Sequence, residues 1–293
     1  QNTLTAGGNY TISYTGANVA ITPRPINITA NTGQAKVYGD VDPTLTFTAE
    51  ANGSGRGLVG SDSFSGSLAR AAGENVANTY AINQGSLANG NYAISYAAAN
   101  FAVTPANLTV TADAKSKTYG DADPALTFVA SGFKLSDTTS IIGGAISRVA
   151  GENVATYAIG QNTLTAGGNY TISYTGANLT ISPATLSVNA NNASKTYDGL
   201  PYWGGNGVAY SGFVNSETSA VLSGTLTYGG SSQGAKSAGS YAIVPSGLTS
   251  ANYAISYADG TLKIDAITTS PDLPPVPTAA PLPTPNTNPA PLA

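Results

Sequence analysis

The chain has 293 residues, a formal net charge of −4 and only 9% charged residues, against about 25% in an ordinary soluble chain. Its 11 basic residues are scattered singly, which excludes the clustered basic face that a phosphate backbone requires. There is no Cys, Met or His, so disulfides, thiolate nucleophiles and imidazole metal ligands are excluded, and no run reaches the roughly 18 apolar residues of a membrane-spanning helix.

Residues 1–23 match only the end of a repeat; Asn9 to Tyr14 alternates, with Tyr10, Ile12 and Tyr14 on one face and Thr11 and Ser13 on the other, and Val19 and Ile21 repeat the pattern after the turn Thr15-Gly-Ala17. Period-two alternation predicts a half-buried hairpin. Residues 1–18 are identical to residues 161–178, so this hairpin is expected to be the C-terminal part of a truncated repeat from a longer protein. Two strands alone are marginal in water, and the segment is expected to fray or to lean on the next module.

The first full repeat is predicted over 24–105. Ile26, Ile28 and Ala30 face inward, Tyr38-Gly-Asp-Val-Asp-Pro43 makes a turn, and Leu45 and Phe47 come next. A Gly-rich loop spans 50–62; further strands are expected over 64–70, 79–82, 92–96 and 101–103. The second repeat, 106–183, keeps this order: Leu108, Val110 and Ala112, the turn at Tyr119-Gly-Asp121, then Leu126, Phe128 and Ala130. Ser136-Asp-Thr-Thr-Ser-Ile-Ile142 breaks the alternation and predicts a helical turn capped by Ser136 or Asp137. Six short strands and one helical turn result. The third repeat, 184–266, has Tyr197-Asp-Gly199 in place of Tyr-Gly-Asp, the single tryptophan at Trp203, and a second helical turn over 215–222. Residues 267–293 hold nine of the 17 prolines and read as an extended or disordered spacer.

Three markers keep one beat of about 80 residues: Tyr38, Tyr119 and Tyr197; Asn-Tyr at Asn9, Asn91, Asn169 and Asn252; and the strand-ending Pro23, Pro105 and Pro183. A fixed period of this length means an array of small modules. Almost no linker separates them, and proline stiffens each junction, so a rod is expected rather than beads on a string. The predicted fold is all-β, tandem small β-sandwich (immunoglobulin-like) modules with one short helical turn each; β-grasp-like modules fit the same elements.

These residues resemble a known family. The Lys-x-Tyr-Gly-Asp-x-Asp-Pro-x-Leu-Thr-Phe stretches at 36–47 and 117–128, the Gly-Asn-Tyr-x-Ile-Ser-Tyr strand and the closing Leu-Thr-Ile-x-Pro are similar to MBG (mostly-β, glycine-rich) repeats. Residues 106–183 resemble the YGX type; residues 184–266 resemble the YDG type through Tyr197-Asp198-Gly199 and Ser211-Gly-Phe213. The resemblance implies a non-catalytic stalk or adhesive array of a secreted bacterial surface protein, like the filamentous-haemagglutinin-like exoproteins. It implies an extracellular setting and a host or neighbouring-cell glycan or protein as partner, with no nucleic acid.

Three constellations could carry chemistry. The pairs Asp40/Asp42 and Asp121/Asp123 offer calcium ligands or paired carboxylates for glycoside cleavage, against a Pro-terminated turn with Asx hydrogen bonds. The six to eight ligands of calcium are not visible nearby, and the third repeat has only Asp198, so the turn is preferred: no catalytic residue, no metal site and no cofactor is expected. The tyrosines could form a sugar-stacking strip, but Tyr170, Ile172 and Tyr174 share a strand face, which favours the core. Trp203, in a Gly-rich turn beside Tyr202, is the best candidate for ligand contact, against a lid over the third module.

Overall fold

The computed structural model describes residues 3–76 and 78–267. The chain is almost entirely β, built as repeated modules of small sheets, each with seven strands. In the first repeat these are β1 (Arg24–Ala30), β2 (Ala35–Val37), β3 (Phe47–Ala49), β4 (Ala69–Arg70), β5 (Thr79–Asn83), β6 (Tyr92–Ala97) and β7 (Ala99–Thr104). The second has β8 (Ala106–Ala112), β9 (Lys115–Thr118), β10 (Phe128–Ser131), β11 (Ser147–Arg148), β12 (Thr156–Gly160), β13 (Tyr170–Thr175) and β14 (Ala177–Ser182). The third has β15 (Ala184–Ala190), β16 (Ala193–Thr196), β17 (Val208–Ser211), β18 (Ser223–Gly229), β19 (Gly239–Thr249), β20 (Tyr253–Ala258) and β21 (Gly260–Asp265).

A three-stranded sheet, β3-β1-β6, and a four-stranded sheet, β2-β7-β5-β4, make the first repeat. The third repeats this order as β17-β15-β20 and β16-β21-β19-β18. The opening strand lies parallel to the Asn-Tyr strand in every repeat: Ile28 faces Tyr96, Val110 faces Tyr174 and Val188 faces Tyr257. The alternation seen in sequence is the alternation of burial. Ile26, Ile28, Leu108, Val110, Leu186 and Val188 are wholly buried, while the Asn and Thr residues between them in the first two repeats face solvent.

The expectation of six strands misses β2, β9 and β16. Their sequences, such as Lys-Ser-Lys-Thr, look like polar turn approaches, yet Lys117 is 9% exposed and its strand runs straight into the Tyr-Gly-Asp tip. The helical turns are short 3-10 pieces, Thr139–Ile141 and Ser219–Val221. Their caps are Thr138 and Thr218, whose side chains accept from Ser140 and Ala220 N–H; Ser136 and Asp137 do not cap. The first repeat has no helical turn among the described residues. It spans six residues from Asp62 to the buried Leu68, where the second spans nine from Asp137 to Ile146, and that deletion removes the turn.

Residues 3–23 carry no strand, and Tyr10, Tyr14, Val19 and Ile21 are exposed. The proline-rich tail lies, from residue 268, outside the described residues.

Contacts divide the chain into two compact units. One holds the residues up to Ser116 with Asp123–Gly151 and Thr156–Thr180; the other holds Lys117–Ala122, Glu152–Ala155 and the described chain from Ile181. The Tyr119 turn thus belongs with the third repeat rather than with its own.

Candidate functional site

The two sequence beats, Tyr-Gly-Asp and Asn-Tyr, come together as a joint, once in each unit. Each partner is fixed first by its own strand. The residue after the junction proline donates its N–H to the Asn carbonyl: Arg24 to Asn91, Ala106 to Asn169 and Ala184 to Asn252, at 2.8, 3.0 and 3.0 Å. The tip tyrosine is tied to the residue before that proline, Tyr38 N–H to the Thr104 carbonyl and Tyr119 N–H to that of Ser182, both at 2.8 Å.

In the first unit the Tyr38 and Tyr170 hydroxyls both donate to Asp137 Oδ2, at 3.0 and 2.8 Å. Their rings meet edge to face, centroids 5.3 Å apart, and Lys134 N–H donates to the Tyr170 hydroxyl at 2.8 Å. Beside them Asn169 Oδ1 accepts from Val76 N–H at 2.9 Å, and its Nδ2 donates to Asn75 Oδ1 at 3.1 Å. Lys134 Nζ also pairs with Asp40, at 2.7 Å.

The second unit repeats the set. Tyr119 donates to Glu217 Oε1 at 2.7 Å and Tyr253 donates to Glu217 Oε2. The two rings lie 5.5 Å apart, edge to face, and Val214 N–H donates to the Tyr253 hydroxyl at 3.0 Å. Asn252 accepts from Val154 N–H at 2.9 Å and donates to Asn153 at 3.0 Å. All four tyrosines are buried. Burial, then the bond to Asp137, raises the Tyr38 pKa above its usual value; for Tyr119 the Glu217 bond leads and burial comes second. A hydrogen bond to a carboxylate contributes about 1.5–3 kcal/mol and an edge-to-face pair about 0.5–1.5, so each joint stabilises by a few kcal/mol.

The sequence placed Tyr170 in the core but missed its partners. The signal was available: an acidic residue falls five positions after a glycine in every repeat, Gly57 to Asp62, Gly132 to Asp137 and Gly212 to Glu217.

The aspartate pairs are held by cations or by their own turn. Asp42 accepts a fork from Arg70 at 2.6 and 2.9 Å and pairs with Lys36 at 2.7 Å; Arg70 and Lys36 both reach Glu74. The Arg70 guanidinium lies over Tyr80 and Phe101, 5.2 Å from each centroid. The Arg70 bond, with Lys36, holds the Asp42 carboxyl down at about 2 against the opposing effect of its partial burial. Arg148 forks onto Asp123 and stacks on Tyr157 in the same way. Asp121 Oδ2 accepts from Thr118 N–H at 3.2 Å. Among the described residues no group of three or more acidic side chains gathers to hold a metal.

Trp203 stands 70% exposed. It borders an open groove of about 730 Å³ lined also by Asn192, Ser194, Tyr202, Asn206 and Lys263. Tyr202 is half-buried against the third repeat's core of Ile243, Leu262 and Ile264, and its N–H donates to the Ala235 carbonyl at 3.0 Å.

The folded class is therefore a tandem array of seven-stranded β modules whose tip tyrosines and Asn-Tyr strands meet in joints. The family model described as MBG domain (YGX type) matches residues 26–102, 108–180 and 186–263. The chain belongs to that family, and its third repeat, which resembles the YDG type at Tyr197-Asp198-Gly199, is matched by the YGX-type model too. No curated protein matches the chain.

Proposed function

We propose that this chain is a structural stalk or adhesive repeat region of a large secreted bacterial surface protein, extracellular and non-catalytic. The observation that carries the reading is the joint, built twice at matching places, with Asp137 the acceptor in one and Glu217 in the other. In each joint the phenols, carboxylate and amides bond to one another across repeats. MBG membership supports a surface-protein setting, and the cysteine-free, weakly charged composition suits export. Within each repeat we propose that the two sheets stack as a small sandwich. The opening strand of each repeat buries one face, and almost no helix is available to pack on a sheet in the β-grasp manner.

Single-molecule pulling on the tethered chain tests this. Successive unfolding events that move to lower force with Tyr119→Ala are expected. Barrier-free extension would overturn the stalk reading.

One observation favours a second reading, a carbohydrate- or receptor-binding module: Trp203 is exposed at a groove with amide and hydroxyl side chains on its walls. Aromatic faces beside such groups suit sugar rings. Glycan-array binding that is lost in Trp203→Ala would replace the first reading with this one.

A further inference from the structure

The receiving half of the joint exists three times in the chain, and twice it is filled. Tyr170, Asp137 and Asn169 take the Tyr38 tip; Tyr253, Glu217 and Asn252 take the Tyr119 tip. The first repeat presents the third set. The Tyr92 hydroxyl donates to Asp62 Oδ2 at 2.6 Å and accepts from Val59 N–H at 3.0 Å, the same internal bonds made by Tyr170 with Asp137 and Lys134, and by Tyr253 with Glu217 and Val214. Gly60 holds φ 56° where Leu135 and Asn215 hold 53° and 55°, and the acidic residue's N–H closes the same turn onto Val59, Lys134 and Val214 carbonyls at 3.1, 3.1 and 2.9 Å.

What differs is cover. Asn91 and Asp62 are exposed, while Asn169, Asn252, Asp137 and Glu217 are half-buried. Among the described residues the Asn91 side chain has no hydrogen bond, and Asp62 accepts from no second phenol. A cavity of about 320 Å³ opens here, lined by Thr22, Val59, Asp62, Asn91 and Tyr92.

We propose that this cavity is a third receiving site, whose occupant is the tip of another repeat of the same kind. The filled joints define the occupant's chemistry. A tyrosine on a Tyr-Gly-Asp turn donates its hydroxyl to Asp62 and sets its ring edge against Tyr92. An Asn-Val pair supplies the backbone N–H for Asn91 Oδ1 and the amide oxygen for Asn91 Nδ2. The chain's own third tip does not fit this description: Gly is replaced by Asp198 beside Tyr197, and no Asn-Val pair precedes β19. The inference rests on joint geometry and stands apart from the stalk reading, since pulling experiments can fail with this contact intact.

The test fuses a second copy of residues 106–160 directly ahead of Gln1. Because residues 1–18 are identical to 161–178, the fusion completes a repeat of the second type in front of the first. Hydrogen exchange is followed at the amide of the duplicated Val154 and at Val59, in the fusion and in its Asn91→Ala and Asp62→Asn variants. Docking is expected to slow the duplicated valine amide about tenfold relative to the Asn91→Ala fusion, the share of about one to two hydrogen bonds. Equal exchange with and without Asn91 overturns the proposal. So does an added repeat that stays unfolded, because all its strand partners are then present and only the joint is lacking.

Discussion

Gly120 shows how much of the joint rests on single residues. Its φ is +88°, and a Cβ there would lie 2.5–2.6 Å from the Val214 side chain; at Gly39, φ +74°, it would lie 2.4 Å from the Lys134 Cβ. Glycine is required twice over, by backbone and by approach. Gly199 also has positive φ, +74°, but nothing lies within 4 Å of its missing Cβ. Gly120→Ala is therefore expected to cost about 2–4 kcal/mol, strain plus overpacking, and Gly199→Ala only about 1–2. Paired thermal melts check the difference; equal losses would mean that approach to Val214 does not matter. This also explains what sequence could and could not show at this scale. Tyr-Gly-Asp reads as a turn from its residue types alone, and Tyr-Asp-Gly reads as a variant of it. That the first form leaves room for a neighbour is invisible, because the neighbour, Val214, lies 94 positions away.

At the scale of elements, one stretch serves as its own control. Residues 3–18 and 163–178 share a sequence but not a structure. Leu164 is 3% exposed and Leu4 54%; Tyr170 is 7% exposed and Tyr10 79%. The second copy is held because β13 runs parallel to β8 and β14 pairs with β12; nothing at the N-terminal side of Tyr10 in this sequence supplies those strands. Amides 11–14 are accordingly expected to exchange near the unfolded rate, and amides 171–174 to be protected in the sheet. Residue-resolved exchange by NMR checks this, and equal protection would contradict it. Alternation thus announced a strand correctly in one place and a strand without partners in the other; pattern specifies a face, and pairing specifies the strand. The charged elements behave in a complementary way. Lys36, Asp42, Arg70 and Glu74 join β2, the tip and β4, and no spacing in the sequence links Arg70 to Asp42. The Asp42 carboxyl is depressed from 3.8 to about 2. Its contribution is fully present above pH 3.8 and is lost as pH falls through about 2. Asp42 is 42% exposed, so solvent screening keeps the loss small, under about 1 kcal/mol. An acid titration of the melting temperature should show this drop in the parent chain and a shallower one in Asp42→Asn.

At the scale of the whole molecule, stability in an array is a sum of repeat terms and neighbour terms. The neighbour terms here depend on protonated phenols. Burial and the bonds to Asp137 or Glu217 raise the pKa of Tyr38, Tyr119, Tyr170 and Tyr253 above 10. A group whose folded pKa is raised gives stability that is fully present below its unfolded value of 10.0 and is lost as pH rises through the folded value. Ionised, the phenol can no longer donate and faces a carboxylate of like charge. Stability is therefore expected to fall steeply above about pH 10, in a range where the carboxylates no longer titrate. Tyr38→Phe and Tyr119→Phe should each cost about 1.5–3 kcal/mol at neutral pH and each flatten the alkaline fall. The two joints share no residue, so the double variant should lose the sum of the two within about 0.5 kcal/mol. Denaturant unfolding at about pH 7 and about pH 11, on either side of the phenol range, measures both quantities in the parent, the two single variants and the double. A double variant that loses much less than the sum would show that the tyrosines act through one shared interior, and the description of the chain as separate repeats held by local joints would have to be abandoned.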